Sequence, residues 1–449
     1  MNATVLRPPG AVGASVLAAG LAALSAGAAV ALGPAALVLP FALVAVAWLL
    51  RHPPVLLAAF LHVGIFKGEA VLRALPFDIT AALGLLLAGV CVHRILEVRS
   101  RAPALGLAAP VLIIGVALAL GLLWTPVSDY GTEKAAKFLT LTLLSAVSPF
   151  VIVEGRRDLV ELLLALVGLA LIAGVGSVVT ESTGRYEFGG RDNTILTSRL
   201  ICLGALVLVL GSGLLRSRAM RMAGPALALG LVAVAAGVGS RGPLLSLVLA
   251  LLCVTAASVA RSPRQLLGIL LVVAAGVAVF PFVSLPETSR DRLERTVQNP
   301  YASVDEDGRS LLYDKALELT AEHPFRGIGT GGFFLYSYVL ADQEERYPHN
   351  VFLELSSEVG LVPAVALALS VLSLLIALFS RAWAIREDRE RRFFLIFVGL
   401  FLFNLFAVQF SGDINDNRTF WAMFGLAWLL ALHPSAMISD NRKPAAAAR

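Results

Sequence analysis

Residues 194–260 read TILTSRLICLGALVLVLGSGLLRSRAMRMAGPALALGLVAVAAGVGSRGPLLSLVLALLCVTAASVA. Three apolar runs, 194–214, 223–239 and 242–260, each approach the roughly 20 residues that a helix needs to cross a hydrocarbon layer. An outer-membrane strand instead alternates lipid-facing and lumen-facing residues over about 10 positions. These runs do not alternate. Helices also satisfy their own backbone hydrogen bonds inside lipid, segment by segment. The stretch therefore predicts a helical membrane bundle.

The whole chain agrees. Of its 449 residues, 58% are hydrophobic and 15% charged, and the mean hydropathy is +0.82. Soluble domains carry about 25% charge, so a set of ordinary globular domains is excluded. Further spans are predicted near 11–32, 34–50, 54–66, 77–95, 104–124, 138–153, 159–180, 264–285, 350–379, 393–411 and 418–433. The total is twelve to fourteen, the run at 54–66 being short enough to be re-entrant. This divides the chain into N-terminal spans (1–285), an external segment (286–347), C-terminal spans (348–433) and a tail (434–449). Cys91, Cys202 and Cys253 all fall in apolar runs without metal-ligand spacing, so neither a disulfide framework nor a metal site is expected.

Lysine and arginine are retained on the cytoplasmic side of membrane proteins. One set of alternate loops holds sixteen cations, including Arg51, Arg94, Arg156, Arg218, Arg381 and Arg391, against eight in the opposite short loops. Both termini are then cytoplasmic and 286–347 is external. The excess of 36 Lys+Arg over 31 Asp+Glu is too slight to argue for nucleic acid. External Arg191, Arg241 and Arg309 have no topological reason to exist, so they need a chemical one.

Three external motifs collect candidate residues. In GSRGPLL, Arg241 sits in a tight hairpin between Gly239 and Gly242 with no acidic neighbour in sequence. In GRYEFGGRDNTILTSRL, Arg191 precedes a span and Arg199 lies inside it. A guanidinium at depth costs several kcal/mol and marks function or a buried partner, unless it snorkels outward. The segment DEDGRSLLYDKALELTAEHPFRGIGTGGFF predicts a surface helix begun by Asp307 or Ser310, with Arg309 at its start, Leu311, Leu312, Ala316, Leu317 and Leu319 as its apolar stripe, and Pro324 beyond its end.

Arg326 follows that helix, and then come Gly327, Gly329, Gly331 and Gly332. These glycines suit either a flexible turn or a phosphate-cradling loop. PHNVFLELSSEVGLVP then opens a span with Asn350, Glu354 and Glu358 on one helical face. His349, at its start, is either an interfacial anchor or a proton-transfer group.

Arginines, a histidine and carboxylates at one membrane surface fit a site handling a lipid diphosphate. Guanidinium groups grip phosphate with paired hydrogen bonds and stabilise it as a leaving group. The corresponding reaction is glycosyl transfer from a polyprenyl-diphosphate-linked sugar.

GSRGPLL, Arg309 followed by HPFRGIGTGGF, and PHNVFLELSSEVGLVP resemble the O-antigen ligase and O-antigen polymerase superfamily of bacterial envelope glycosyltransferases, over roughly residues 190–415. The resemblance implies an all-α polytopic bundle of GT-C type with one large external loop, in the bacterial inner membrane, with the active site facing the periplasm. It implies Arg191 and Arg241 as diphosphate ligands, Arg309 as a loop arginine of similar role and His349 as the base or acceptor-positioning residue. Taken with the residues' own chemistry, the expected catalytic residues are His349, Arg241 and Arg309, and the expected substrate-binding residues are Arg191, Arg199, Arg326, Asn350 and Glu354. The resemblance implies no metal and no cofactor. The expected partners are a polyprenyl-diphosphate-linked glycan, an acceptor glycan (lipid A core or a lipid-linked repeat) and membrane lipid, with no nucleic acid. Single displacement is expected to invert the anomeric centre. Tyr313 departs from the tryptophan that many relatives carry there.

Two alternatives stay open. A polymerase shares the donor and the chemistry but joins two lipid-linked repeats. A transporter or flippase would place polar groups near the midplane, where Asn404 and Gln409 are the main exceptions to the apolar spans.

Overall fold

A computed structural model describes residues 39–69, 72, 77–97, 109–180, 186, 188, 194–215, 217–259, 309–336 and 347–438. The predicted spans 11–32 and 264–285, the residues of 34–50 that precede 39, and Arg191 lie outside them. Among the described residues every regular element is helical.

The order is α1 (Leu39–Arg51), α2 (Pro53–Phe66), α3 (Ile79–Glu97), α4 (Ala109–Gly121), α5 (Ser128–Lys137), a π turn (Phe138–Thr142), α6 (Leu143–Ile152), α7 (Arg156–Val179), α8 (Thr194–Gly211), α9 (Arg218–Val238) and α10 (Arg241–Val259). There follow α11 (Arg309–Glu322), α12 (Val351–Val359), α13 (Leu361–Ala384), α14 (Asp388–Ala407), α15 (Arg418–Leu432) and α16 (Pro434–Ile438). Among the described residues, six helices are long and apolar enough to cross a membrane, or seven if the bent α1–α2 pair is one span. The chain is thus an all-α polytopic membrane protein.

Three spans differ from expectation, and the one predicted at 138–153 instead begins at Ser128. The α1–α2 pair bends by 118° at His52, because Pro53 and Pro54 cannot donate the backbone hydrogen bonds that would continue α1. The predicted 350–379 span breaks at Gly360, whose φ of +93° is open to glycine and strained for other residues. A Cβ there would lie 2.4 Å from the Phe325 carbonyl oxygen. The short α12 is therefore separate from the spanning α13.

Helix α8 is packed between α7, α9, α10 and α14, and α15 lies against α6. Its middle, from Thr197 to Val207, is buried throughout, so its apolar surface faces protein on all sides. Aromatic rings of α14 and α15, Phe401, Phe420, Trp421 and Phe424, stack within the same core. At one end of the bundle, arginines cap terminal carbonyls: Arg94 to Ile152 (2.7 Å), Arg156 to Ile438 (2.5 Å) and Arg381 to Ala431 (3.0 Å). Cations stabilise helix C-termini in this way. All three come from the cation-rich set of loops.

Candidate active site

The opposite end is organised by a polar segment between α14 and α15, residues 408–417, VQFSGDINDN. Asp413 shapes it, accepting from the backbone N–H groups of Asn415 (2.8 Å) and Asp416 (2.6 Å). Short polar side chains satisfy a turn's own backbone in this way. Asn417 donates back to the Asp413 carbonyl at 2.6 Å, closing the loop.

Arg199 reaches this segment from inside α8. Its guanidinium donates to the side-chain oxygen of Asn417 and to the carbonyls of Ala407 (2.8 Å) and Ser411 (2.6 Å). The buried-partner reading of Arg199 holds, and the partner is neutral oxygen rather than a carboxylate.

The His349 segment docks on the same loop. Asn350 caps α12, its side-chain oxygen accepting from the N–H groups of Phe352 (3.0 Å) and Leu353 (3.2 Å). Asn and Asp are favoured at this position because they satisfy N–H groups that lack helical partners. The amide nitrogen of Asn350 remains, and donates to the Gln409 side chain at 3.0 Å. The Val351 N–H donates to the Val408 carbonyl (3.2 Å), and the Tyr313 hydroxyl, on α11, donates to the Gln409 carbonyl (3.0 Å). Tyr313, the departure noted from the resemblance, thus joins α11 to the loop.

His349 is buried, with its ring edge-on to Tyr347 at 4.7 Å between centroids. It is the one non-glycine residue with positive φ (56°) among the described residues. Histidine tolerates that region better than most side chains, but the geometry still costs free energy that the surroundings must supply. Burial, then the charges of Arg309 and Arg199, push its pKa down from 6.5 to about 3. Arg309 is thereby within electrostatic reach of both His349 and Arg199. Arg241 starts α10, and a Cβ on its neighbour Gly242 would lie 3.3 Å from Phe410 of the loop. Neither Arg241 nor Arg309 forms a hydrogen bond or ion pair with the described residues. Among the described residues nothing pairs with their charges.

Other predicted residues go elsewhere. Glu354 is buried and ion-paired with Lys134 at 2.6 Å, and Glu358 pairs with the same ammonium at 2.7 Å. The face carrying Glu354 and Glu358 therefore turns into the bundle toward α5, not toward the outer surface. Asn415 of the loop donates to the Lys134 carbonyl at 3.0 Å, linking that cluster to the site.

Arg326 is exposed at the far end of α11, about 20 Å along the helix from Arg309. The structure does not bring it to His349. Ser310 lies within α11 rather than ahead of it, and Asp307 is outside the described residues. The buried stripe of α11 is Leu312, Ala316 and Leu319, packed on Ile328 and Phe333. Leu311 and Leu317 are exposed. They sit off the i, i+4, i+7 line of the buried face.

The glycine cluster is a clamp rather than a flexible turn. Ile328 and Gly329 donate to the carbonyls of Ser357 and Glu358, both at 2.9 Å, at the C-terminus of α12, and Gly331 donates to the Glu358 carboxylate at 2.9 Å. A Cβ on Gly329 (φ +99°) would lie 2.5 Å from Thr125 Cα. These donors are spent on the protein itself, and the phosphate-cradle alternative loses them.

Gln409, Asn417 and Lys134 were not singled out as site-forming residues. The signal in sequence was the polar run between two apolar spans and a lysine in a chain with few of them.

A polytopic helical membrane protein with guanidinium groups and a buried histidine gathered at one end is thus defined. Residues 225–368 match the family model described as O-antigen ligase. The match supports the O-antigen ligase superfamily, and with it a membrane glycosyltransferase in the broad sense. It contains Arg241, Arg309, His349 and Asn350, and leaves Arg199 and the 408–417 loop outside. No curated protein matches the chain.

Proposed function

We propose that the protein transfers a glycan from a polyprenyl diphosphate onto an acceptor hydroxyl, with His349 as general base and Arg241 and Arg309 as ligands of the diphosphate. The observation that carries this reading is His349 itself, held at φ 56° within reach of guanidinium charge.

At neutral pH its imidazole is uncharged, so a ring nitrogen can accept the acceptor's hydroxyl proton. The oxygen then bonds to the sugar's anomeric carbon, the bond from that carbon to the phosphate oxygen breaks, and its electron pair leaves on the diphosphate. Arg309, without a hydrogen bond or ion pair among the described residues, stabilises that growing charge more strongly in the transition state than in the bound donor. The donor's negative charge would also offset the guanidiniums that depress His349, making it a better base once the donor is bound. A single displacement would invert the anomeric centre. Arg191 would assist in binding the donor, and Arg326 would do so from outside this cluster.

The acceptor is proposed to be a lipid A core sugar, with the bacterial inner membrane and a periplasm-facing site. Purified protein incubated with a polyprenyl-diphosphate oligosaccharide, with and without lipid A core, tests this. Glycan on the core is the expected product, whereas elongated lipid-linked chains would assign a polymerase. Substrate flux without covalent product would assign a transporter.

A further inference from the structure

Beyond the His349 cluster, α2, α8, α14 and α15 enclose a partly open cavity at the same end of the bundle, lined by His62, Arg199, Asn404, Asp416, Asn417 and Arg418 among others. Arg199 is 8% exposed and His62 5%. Three buried polar atoms on this lining have no hydrogen-bond partner: Arg199 Nε, Arg418 Nη1 and His62 Nε2.

Both guanidiniums lack an ion pair among the described residues. Arg199 is met only by neutral oxygens, and Arg418 lies 5.5 Å over the Phe60 ring. Asp416, the one carboxylate on the lining, acts electrostatically on both guanidiniums, and Asp78 and Asp413 act on Arg418, but none of them closes an ion pair with either. Burying two cations with no direct ion pair is costly, and leaving their N–H groups unmade adds to that cost. Asn404 and Asn417 spend their amide nitrogens on protein carbonyls. What remains is a set of unused nitrogens on three different helices, converging on one space between two positive charges. A tetrahedral anion with several acceptor oxygens matches this arrangement, because its oxygens can face donors that are not coplanar.

We propose that this cavity binds a phosphate group, separately from the diphosphate site at His349. Two sources share that chemistry, a phospholipid headgroup and free inorganic phosphate. The proposal does not depend on glycosyl transfer, since binding is read without turnover.

Delipidated full-length protein in uncharged detergent would be melted against increasing inorganic phosphate, and in parallel against mixed micelles of phosphatidylglycerol or of uncharged diacylglycerol. A rise in melting temperature with phosphate or phosphatidylglycerol, absent with diacylglycerol, is expected for the wild type and for Arg418→Lys. Arg418→Gln should weaken the apparent affinity at least about tenfold. A response to phosphatidylglycerol alone identifies the headgroup, and a response to phosphate alone the free ion. No response of the wild type to either, or an undiminished response in Arg418→Gln, overturns the proposal. If Arg418→Gln is not recovered as folded protein, His62→Phe takes its place with the same expected loss, and an undiminished response there overturns the proposal equally.

Discussion

Asn350 donates its side-chain amide to the side-chain oxygen of Gln409 at 3.0 Å, across 59 residues of sequence. This bond joins the residue after His349 to the loop that also receives Arg199 and Tyr313. The loop thus sets the position of the proposed base and of the helix whose first residue is Arg309.

Gln409→Ala should therefore impair catalysis without removing a group that touches substrate. Misplacement by about 1 Å costs up to about 10²-fold in rate, so we expect kcat for glycan transfer to fall about 10- to 100-fold with KM for the donor little changed. Steady-state kinetics on reconstituted protein would check this, and a proportional rise in KM alone would contradict it.

His349→Ala should abolish transfer while the protein still folds and inserts. A second consequence concerns pH. The folded-state pKa of His349 is depressed to about 3 from 6.5, so the unfolded chain takes up the proton first. Its contribution to stability is complete above about pH 6.5 and is lost as pH falls toward 3. Melting curves across that window should show a steeper acid loss in the wild type than in His349→Asn. Equal slopes would indicate that the imidazole is not held neutral by its surroundings.

Arg309→Gln removes one of the charges that depress His349. The imidazole pKa should rise, and the acid limb of kcat/KM, measured with residual activity, should move to higher pH. An unmoved limb would separate Arg309 from His349.

Lys134 is buried between Glu354 and Glu358 at 2.6 and 2.7 Å. Lys134→Met should destabilise the fold by about 3–5 kcal/mol, because it strands two buried carboxylates. Adding Glu354→Gln and Glu358→Gln should recover much of that loss, which thermal unfolding in detergent would measure. A triple variant as unstable as the single one would refute the charge argument.

Gly360→Ala places a Cβ 2.4 Å from the Phe325 carbonyl oxygen at a φ of +93°. The strain should cost about 1–3 kcal/mol, seen as a lowered melting temperature. Leu361→Ala, a neighbouring exposed site, should be near neutral.

Membrane insertion, the helical class and most span positions were legible in the sequence by itself. Apolar run length is a local property, and α3, α4, α6 to α10, α14 and α15 fall close to the runs that predict them, whereas the polar α5 was not predicted. The candidate histidine and arginines were legible too, as charge where the apolar pattern stops. Only the tertiary structure decided what those groups face. Arg199 meets Asn417 at a separation of 218 residues, and Lys134 meets Glu358 at 224. The helical repeat places Asn350, Glu354 and Glu358 on related positions, yet Asn350 turns to the loop and the two glutamates to a lysine. Spacing along a chain determines which side chains share a face of a helix, whereas packing between helices determines what that face meets.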